Sequence, residues 1–300
     1  MKKKIFIFSG LMVIAIIGIY TGQYLKEIKG EKNALVAAPA ITCRYYDEKS
    51  FMTSVKKAET IEVSDLNVLG GVTPHHLLAD HMIAQFFKEI AANNPNVIVL
   101  IGPNHGRIGR DKIHTGSWSW QTPFGILEAE KDMVKQIAEK TGAGEDMNLL
   151  EKEHSIAALI PYVKYYLPEV QIVPLVLHGN LGIENSKKLA NIILACMGDK
   201  ECLVIGSVDF SHYLTPDKAE EMDEISIKAI KKRDFLAVSR MDNDYLDSPP
   251  TIMTLFEIMN RENVSGLKVL DHSNSSIIAG EYAESNTSYY TLLFYKKDKP

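Results

Sequence analysis

Three short stretches constrain this chain more than anything else in it: "NVIVLIGPNH" (96–105), "VQIVPLVLHGN" (170–180) and "CLVIGSVDFSH" (202–212). Each opens as a nearly unbroken apolar run, which is how a strand reads when both of its faces are covered. Each closes on groups that hold metals or protons: Asn104-His105, His178, and Asp209 with His212. An earlier run, "LNVLGGVTP", closes on His75-His76 in the same way. Helical spacing fills the gaps. Leu78, Met82, Ile83, Phe86, Phe87 and Ile90 repeat at three and four residues, and "DMVKQIAEKTG" and "SKKLANIILACMG" follow suit. Two further helices and two further strands are expected toward the C-terminus. The alternation predicts an α/β fold with a mostly parallel central sheet and helices on both faces. Ligands of such sheets sit beyond the carboxyl ends of the strands, where these histidines are expected to gather.

Composition narrows the function. The formal net charge of -5 over 300 residues, with no basic stripe, excludes a nucleic-acid binder. The N-terminus pairs Lys2 to Lys4 with an uncharged stretch from Ile5 to Tyr20, the pattern of a secretory signal or membrane anchor. Small residues suited to cleavage, Ala38-Pro39-Ala40, lie far beyond that stretch. An uncleaved signal anchor is therefore the expectation, with the domain membrane-anchored and extracytoplasmic; secretion after cleavage is the alternative. The expected organisation is an anchor over 1–30, a linker over 31–60 and an α/β domain over 61–300. Cys196 and Cys202 bracket a polar turn and read equally well as a small disulfide or as two free thiols. Cys43 is left over.

His75, His105, His154 and His212 all stand beside short polar or glycine-bearing turns where strand meets helix. Imidazoles converging with carboxylates, and without a cysteine pair, suit iron, zinc or copper. The same histidines also suit general-base work near neutral pH. Other chemistries fit less well. Ser207 and Ser211 flank Asp209 without a nucleophile elbow around either. The glycine-bearing turns match neither a dinucleotide fingerprint nor a phosphate loop.

"VTPHH", "IGPNH", "QTPFG", "EHSIAALIPYV" and "GSVDFSHY" stand in an order and spacing that resembles the Memo-like family, called AmmeMemoRadiSam system protein B in bacteria. That family is similar in fold to the class III extradiol ring-cleaving dioxygenases, and the resemblance runs from about Asp65 to the C-terminus. It implies metal-binding roles for His75 and His105, with iron as the metal the fold resemblance favours and copper or zinc as alternatives. It implies that Glu153 and His154 match the E-H-S element, whose histidine lines the pocket. Asp209 and His212 match the D-F-x-H element, whose histidine acts in the dioxygenases as base or orients dioxygen.

Two departures stand out. Pro74-His75-His76-Leu77-Leu78 replaces the family's P-H-A-G-Y. The third ligand, a cysteine in many members and a glutamate in the dioxygenases, is expected near "YLDSPPTIM", where Asp247 is the available replacement; Asp209 is the alternative. The resulting expectation is a metal-binding protein with dioxygenase-like oxidoreductase chemistry on an unidentified small molecule, catalysed with His212, His154 and Asp209. Non-catalytic copper or iron binding and a metal-free partner-binding module are the rival readings. The resemblance also implies partner proteins of the AmmeMemoRadiSam system.

Overall fold

The computed structural model describes residues 39–296, apart from 60, 61, 63 and 65. Its frame is a nine-stranded sheet ordered β10 (His212–Leu214), β12 (Asn286–Lys296), β2 (Asn67–Thr73), β9 (Cys202–Ser207), β3 (Val97–Pro103), β8 (Gln171–Leu177), β4 (Ile113–Thr115), β7 (Gly144–Glu145), with β11 (Gly266–Asn274) also paired to β12. The four central strands are β2 (Asn67–Thr73), β9 (Cys202–Ser207), β3 (Val97–Pro103) and β8 (Gln171–Leu177). They run parallel, in registers that place Thr73 beside Ser207 and Pro103 beside Leu177. All four carboxyl ends therefore lie at one edge.

Every residue of β3 is buried, as its unbroken apolar run predicts. Alternate side chains still serve opposite layers. Val97, Val99 and Ile101 pack with α3 (Lys131–Thr141), α7 (Ile183–Met197) and α10 (Pro249–Arg261). Ile98 and Leu100 pack with α1 (Glu48–Glu59), α2 (Asp80–Ala91) and α6 (Ile160–Tyr166). Each such fully buried aliphatic side chain contributes about 1.5–3 kcal/mol.

The structure departs from the sequence expectations in the direction of its outer strands and in the membrane placement. The sheet is mixed. β12 (Asn286–Lys296) runs antiparallel to β2, to β10 (His212–Leu214) and to β11 (Gly266–Asn274). At the other side β4 (Ile113–Thr115) runs antiparallel to β8 before β7 (Gly144–Glu145) joins it in parallel. The hydrophobic pattern marks a strand but not its direction, which depends on the connection that precedes it. The expected linker over 31–60 is partly described. Its described part carries β1 (Ile41–Thr42), in a small sheet with β5 (Trp120–Thr122) and β6 (Gly125–Leu127), and α1, which buries Phe51, Val55 and Ala58.

The membrane-anchored placement is corrected. The expected anchor over 1–30 falls outside the described residues. Among the described residues no helix is long and apolar enough to cross a membrane. The 17-residue α8 (Pro216–Lys232) falls short of the roughly 20 apolar residues a span requires and carries charge along its length. Of the two readings open for Cys196 and Cys202, the structure shows free thiols, and Cys43 is free as well.

Candidate metal centre

The site is assembled from strand ends. β2 delivers Pro74-His75, β3 delivers Asn104-His105, and β9 delivers Val208-Asp209. His75 is 1% exposed, and its orientation is fixed twice. Its backbone N–H donates to Asp209 Oδ1 at 3.1 Å, and its Nδ1 lies 2.9 Å from Ser207 Oγ, the neighbour that strand register supplies. With Nδ1 occupied, Nε2 is the atom left for the site, and it is buried without a hydrogen-bond partner.

His105 follows the same scheme with a carboxylate in place of the hydroxyl. Its Nδ1 lies 2.8 Å from Glu153 Oε1, and its backbone N–H donates to Glu153 Oε2 at 2.9 Å. Glu153 is held in turn by capping the short helix α5 (His154–Ala157), accepting from Ser155 N at 3.1 Å. Ser155 Oγ donates to Pro103 O at 2.9 Å, so the E-H-S turn is docked against the G-P-N-H turn. Gly102 permits this docking: a Cβ there would lie 2.6 Å from Ser155 Oγ. His154 opens α5, and its ring stacks on His105 with centroids 4.1 Å apart.

Asp247 closes the arrangement. An isolated bridge between Phe210 and Leu246, and an Asp247 N–H donated to Asp209 O at 3.1 Å, hold its turn against the end of β9. Its Oδ2 lies 3.3 Å from His75 Nε2 and 3.5 Å from His105 Nε2, while its buried Oδ1 has no partner. Asp209 Oδ2 also lies 3.5 Å from His75 Nε2, so two imidazole nitrogens and two carboxylates converge. His75, His105 and His154 form one group able to hold a metal ion, and His75, Asp209 and Asp247 form another.

Electrostatics separate the histidines. Burial pulls His75 down to about 3 and outweighs the nearby Asp247 carboxylate, so its imidazole is neutral. Burial also opposes charge on His105, but the Asp247 and Glu153 carboxylates prevail and raise it to about 10. His154 is lowered by burial and by the His105 charge beside it. Burial opposes ionisation of Glu153, yet its hydrogen bond with His105 holds its carboxyl below the usual range. Asp209, fully enclosed, is raised by burial.

Sequence reasoning placed His75, His105, His154, Asp209 and Asp247, and the structure brings these five together. His212 lies on β10, outside both groups, although its charge is felt by Asp209. His178 shapes a turn, its Nδ1 accepting from Asn180 N at 3.2 Å. The roles of Ser207 and Glu153 in occupying the two Nδ1 atoms were missed. For Glu153 a signal existed, because a carboxylate beside a candidate ligand often orients another ligand.

The family model for Memo-like proteins matches residues 47–293. The chain belongs to the Memo-like family. Among Memo-like relatives, a MEMO1 family protein of Caldivirga maquilingensis is 30% identical over 76% of this chain and 84% of its own length. Another, PAE0818 of Pyrobaculum aerophilum, is 29% identical with the same coverage. A MEMO1 family protein of Desulfurococcus amylolyticus is 29% identical over 92% of this chain and 98% of its own. Among solved structures, an uncharacterized protein of Escherichia coli K12, JW3007, superposes with a TM-score of 0.50 at 8% identity. That match covers 75% of this chain and 99% of the other and concerns the fold alone. The Memo match begins inside the described part of the expected linker, at the residue before α1.

Proposed function

We propose that this Memo-like protein holds one divalent metal ion on His75 Nε2, His105 Nε2 and Asp247, and uses it to bind an oxygen-bearing small molecule for oxidoreductase chemistry. One observation carries the reading: His75 Nε2 is buried and unpartnered and faces the carboxylate that also faces His105 Nε2. Unpaired buried nitrogens of this kind are costly unless something binds them. Two histidines and one carboxylate on a single side are the donor set of non-haem ferrous sites, which favours iron over zinc or copper.

The bound ion would supply Lewis acidity and positions for an oxygen ligand. The chain's own residues do the rest. Ser207 and Glu153 fix the tautomers of the two histidines, and Asp209 anchors the His75 backbone. His154, with its pKa held down by burial and its ring half-buried beside His105, is placed to accept a proton from the bound molecule. His212 is proposed as a more distant proton-handling group.

A metal-free partner-binding pocket has one observation in its favour: a charged His105 between Asp247 and Glu153 partly neutralises the site without any ion. Anaerobic titration of the metal-free protein with ferrous, zinc and cupric ions separates the readings. One equivalent bound by the parent and none by His75→Ala is the expected result. No binding of any ion by the parent would overturn the metal centre and leave the partner-binding pocket.

A further inference from the structure

The stretch 41–59 does more than pack. Tyr45, Tyr46 and Phe51 line a recess of about 220 Å³, together with Tyr162 of α6 and the side chains of Asp47 and Asp80. Phe51 and Tyr162 meet with ring centroids 4.6 Å apart, and Tyr46 meets Phe51 at 5.4 Å. Its lining includes two carboxylates and no lysine, arginine or histidine. Asp47 is fixed by accepting from Ser50 N at 2.8 Å as it caps α1. Asp80 opens α2, with His81 Nδ1 at 3.9 Å, and burial holds its carboxyl above the usual range although His81 and Lys57 act the other way.

The recess adjoins the histidine cluster. Tyr45 lies 6.3 Å from His154, ring to ring, and Leu77, two residues after His75, also lines it. Aromatic faces attract cations, and nearby carboxylates add the countercharge. The volume admits a group the size of about seven waters. A cationic occupant would meet both carboxylates with opposite charge, whereas an anionic one would meet them with like charge.

We propose that this recess binds the cationic end of a small organic amine, protonated or quaternary, whose other end reaches the metal centre. Calling it a subsite of that centre rests on the reading above; the recess and its charge stand apart from it. The test is calorimetric titration of the full-length, metal-free protein with three probes of one shape: benzylamine, benzyl alcohol and benzoate. Benzylamine should bind at least about tenfold more tightly than benzyl alcohol, and benzoate should not bind. Asp80→Asn and Tyr46→Ala should each weaken benzylamine about tenfold while circular dichroism and metal uptake stay as in the parent. Absence of benzylamine binding, equal affinity for amine and alcohol, or an unchanged affinity in Asp80→Asn would overturn the proposal. Metal uptake, measured separately on the same preparations, shows whether the metal centre fails on its own account.

Discussion

Two regions of this molecule pair a buried aspartate with a histidine, and they are built to opposite ends. In one, Asp223 is saturated: Oδ2 meets His272 Nε2 at 2.9 Å and Oδ1 accepts from Ser288 Oγ at 2.7 Å. Ser288 Oγ in turn lies 2.7 Å from Ser211 Oγ, and the His272 ring stacks on Tyr290. This network ties α8 to β11 and β12. In the other region, Asp247 Oδ1 and His75 Nε2 are buried with no partner, while the Nδ1 atoms of His75 and His105 are both occupied. Saturation marks a polar group that holds the fold together; convergence of unsaturated atoms marks one held ready for something else.

Mutations can break that comparison. The largest effect is expected from His75→Ala or Asp247→Asn, each lowering metal affinity more than about 100-fold, beyond the range typical for a ligand's hydrogen-bond partner. Titration with ferrous ion reads this directly. Asp223→Ala should do the reverse: a loss of about 2–3 kcal/mol in stability by urea unfolding, with metal binding unchanged. Glu153→Ala, which removes the acceptor of His105 Nδ1, is expected to weaken metal binding about 10–100-fold.

The pH dependence sharpens the comparison further. His105 in the metal-free protein keeps its proton up to about 10, and a metal must displace that proton to reach Nε2. Apparent affinity should therefore rise about tenfold per pH unit above neutrality and level off near pH 10. In Glu153→Ala one of the two carboxylates that raise His105 is gone, so the plateau should arrive at lower pH. Ser207→Ala should have the smallest effect, a few-fold loss of affinity through a less fixed His75 tautomer.

Much of this was legible in the sequence because strand ends are. An apolar run that stops at Gly102-Pro103-Asn104 announces where the chain leaves the sheet, and parallel neighbours bring such exits together. Even Asp247 was accessible, as the carboxylate nearest the expected third ligand. Glu153 and Ser207 were harder: both act on Nδ1 atoms through register and capping, which sequence spacing does not encode. The antiparallel flanks escaped because β12 pairs with β2 and β10 as well as with its neighbour β11, and β4 with β8, partners that spacing does not encode. α1 did carry a signal, since its inward residues Phe51, Ser54, Val55 and Ala58 stand three and four apart.

The most direct test of the central claim is elemental analysis of the full-length protein purified without chelator, beside His75→Ala and Asp223→Ala. The account predicts about one equivalent of metal, iron foremost, in the parent and in Asp223→Ala, and almost none in His75→Ala. A parent without metal even after anaerobic reconstitution, or a His75→Ala variant holding as much as the parent, would contradict it.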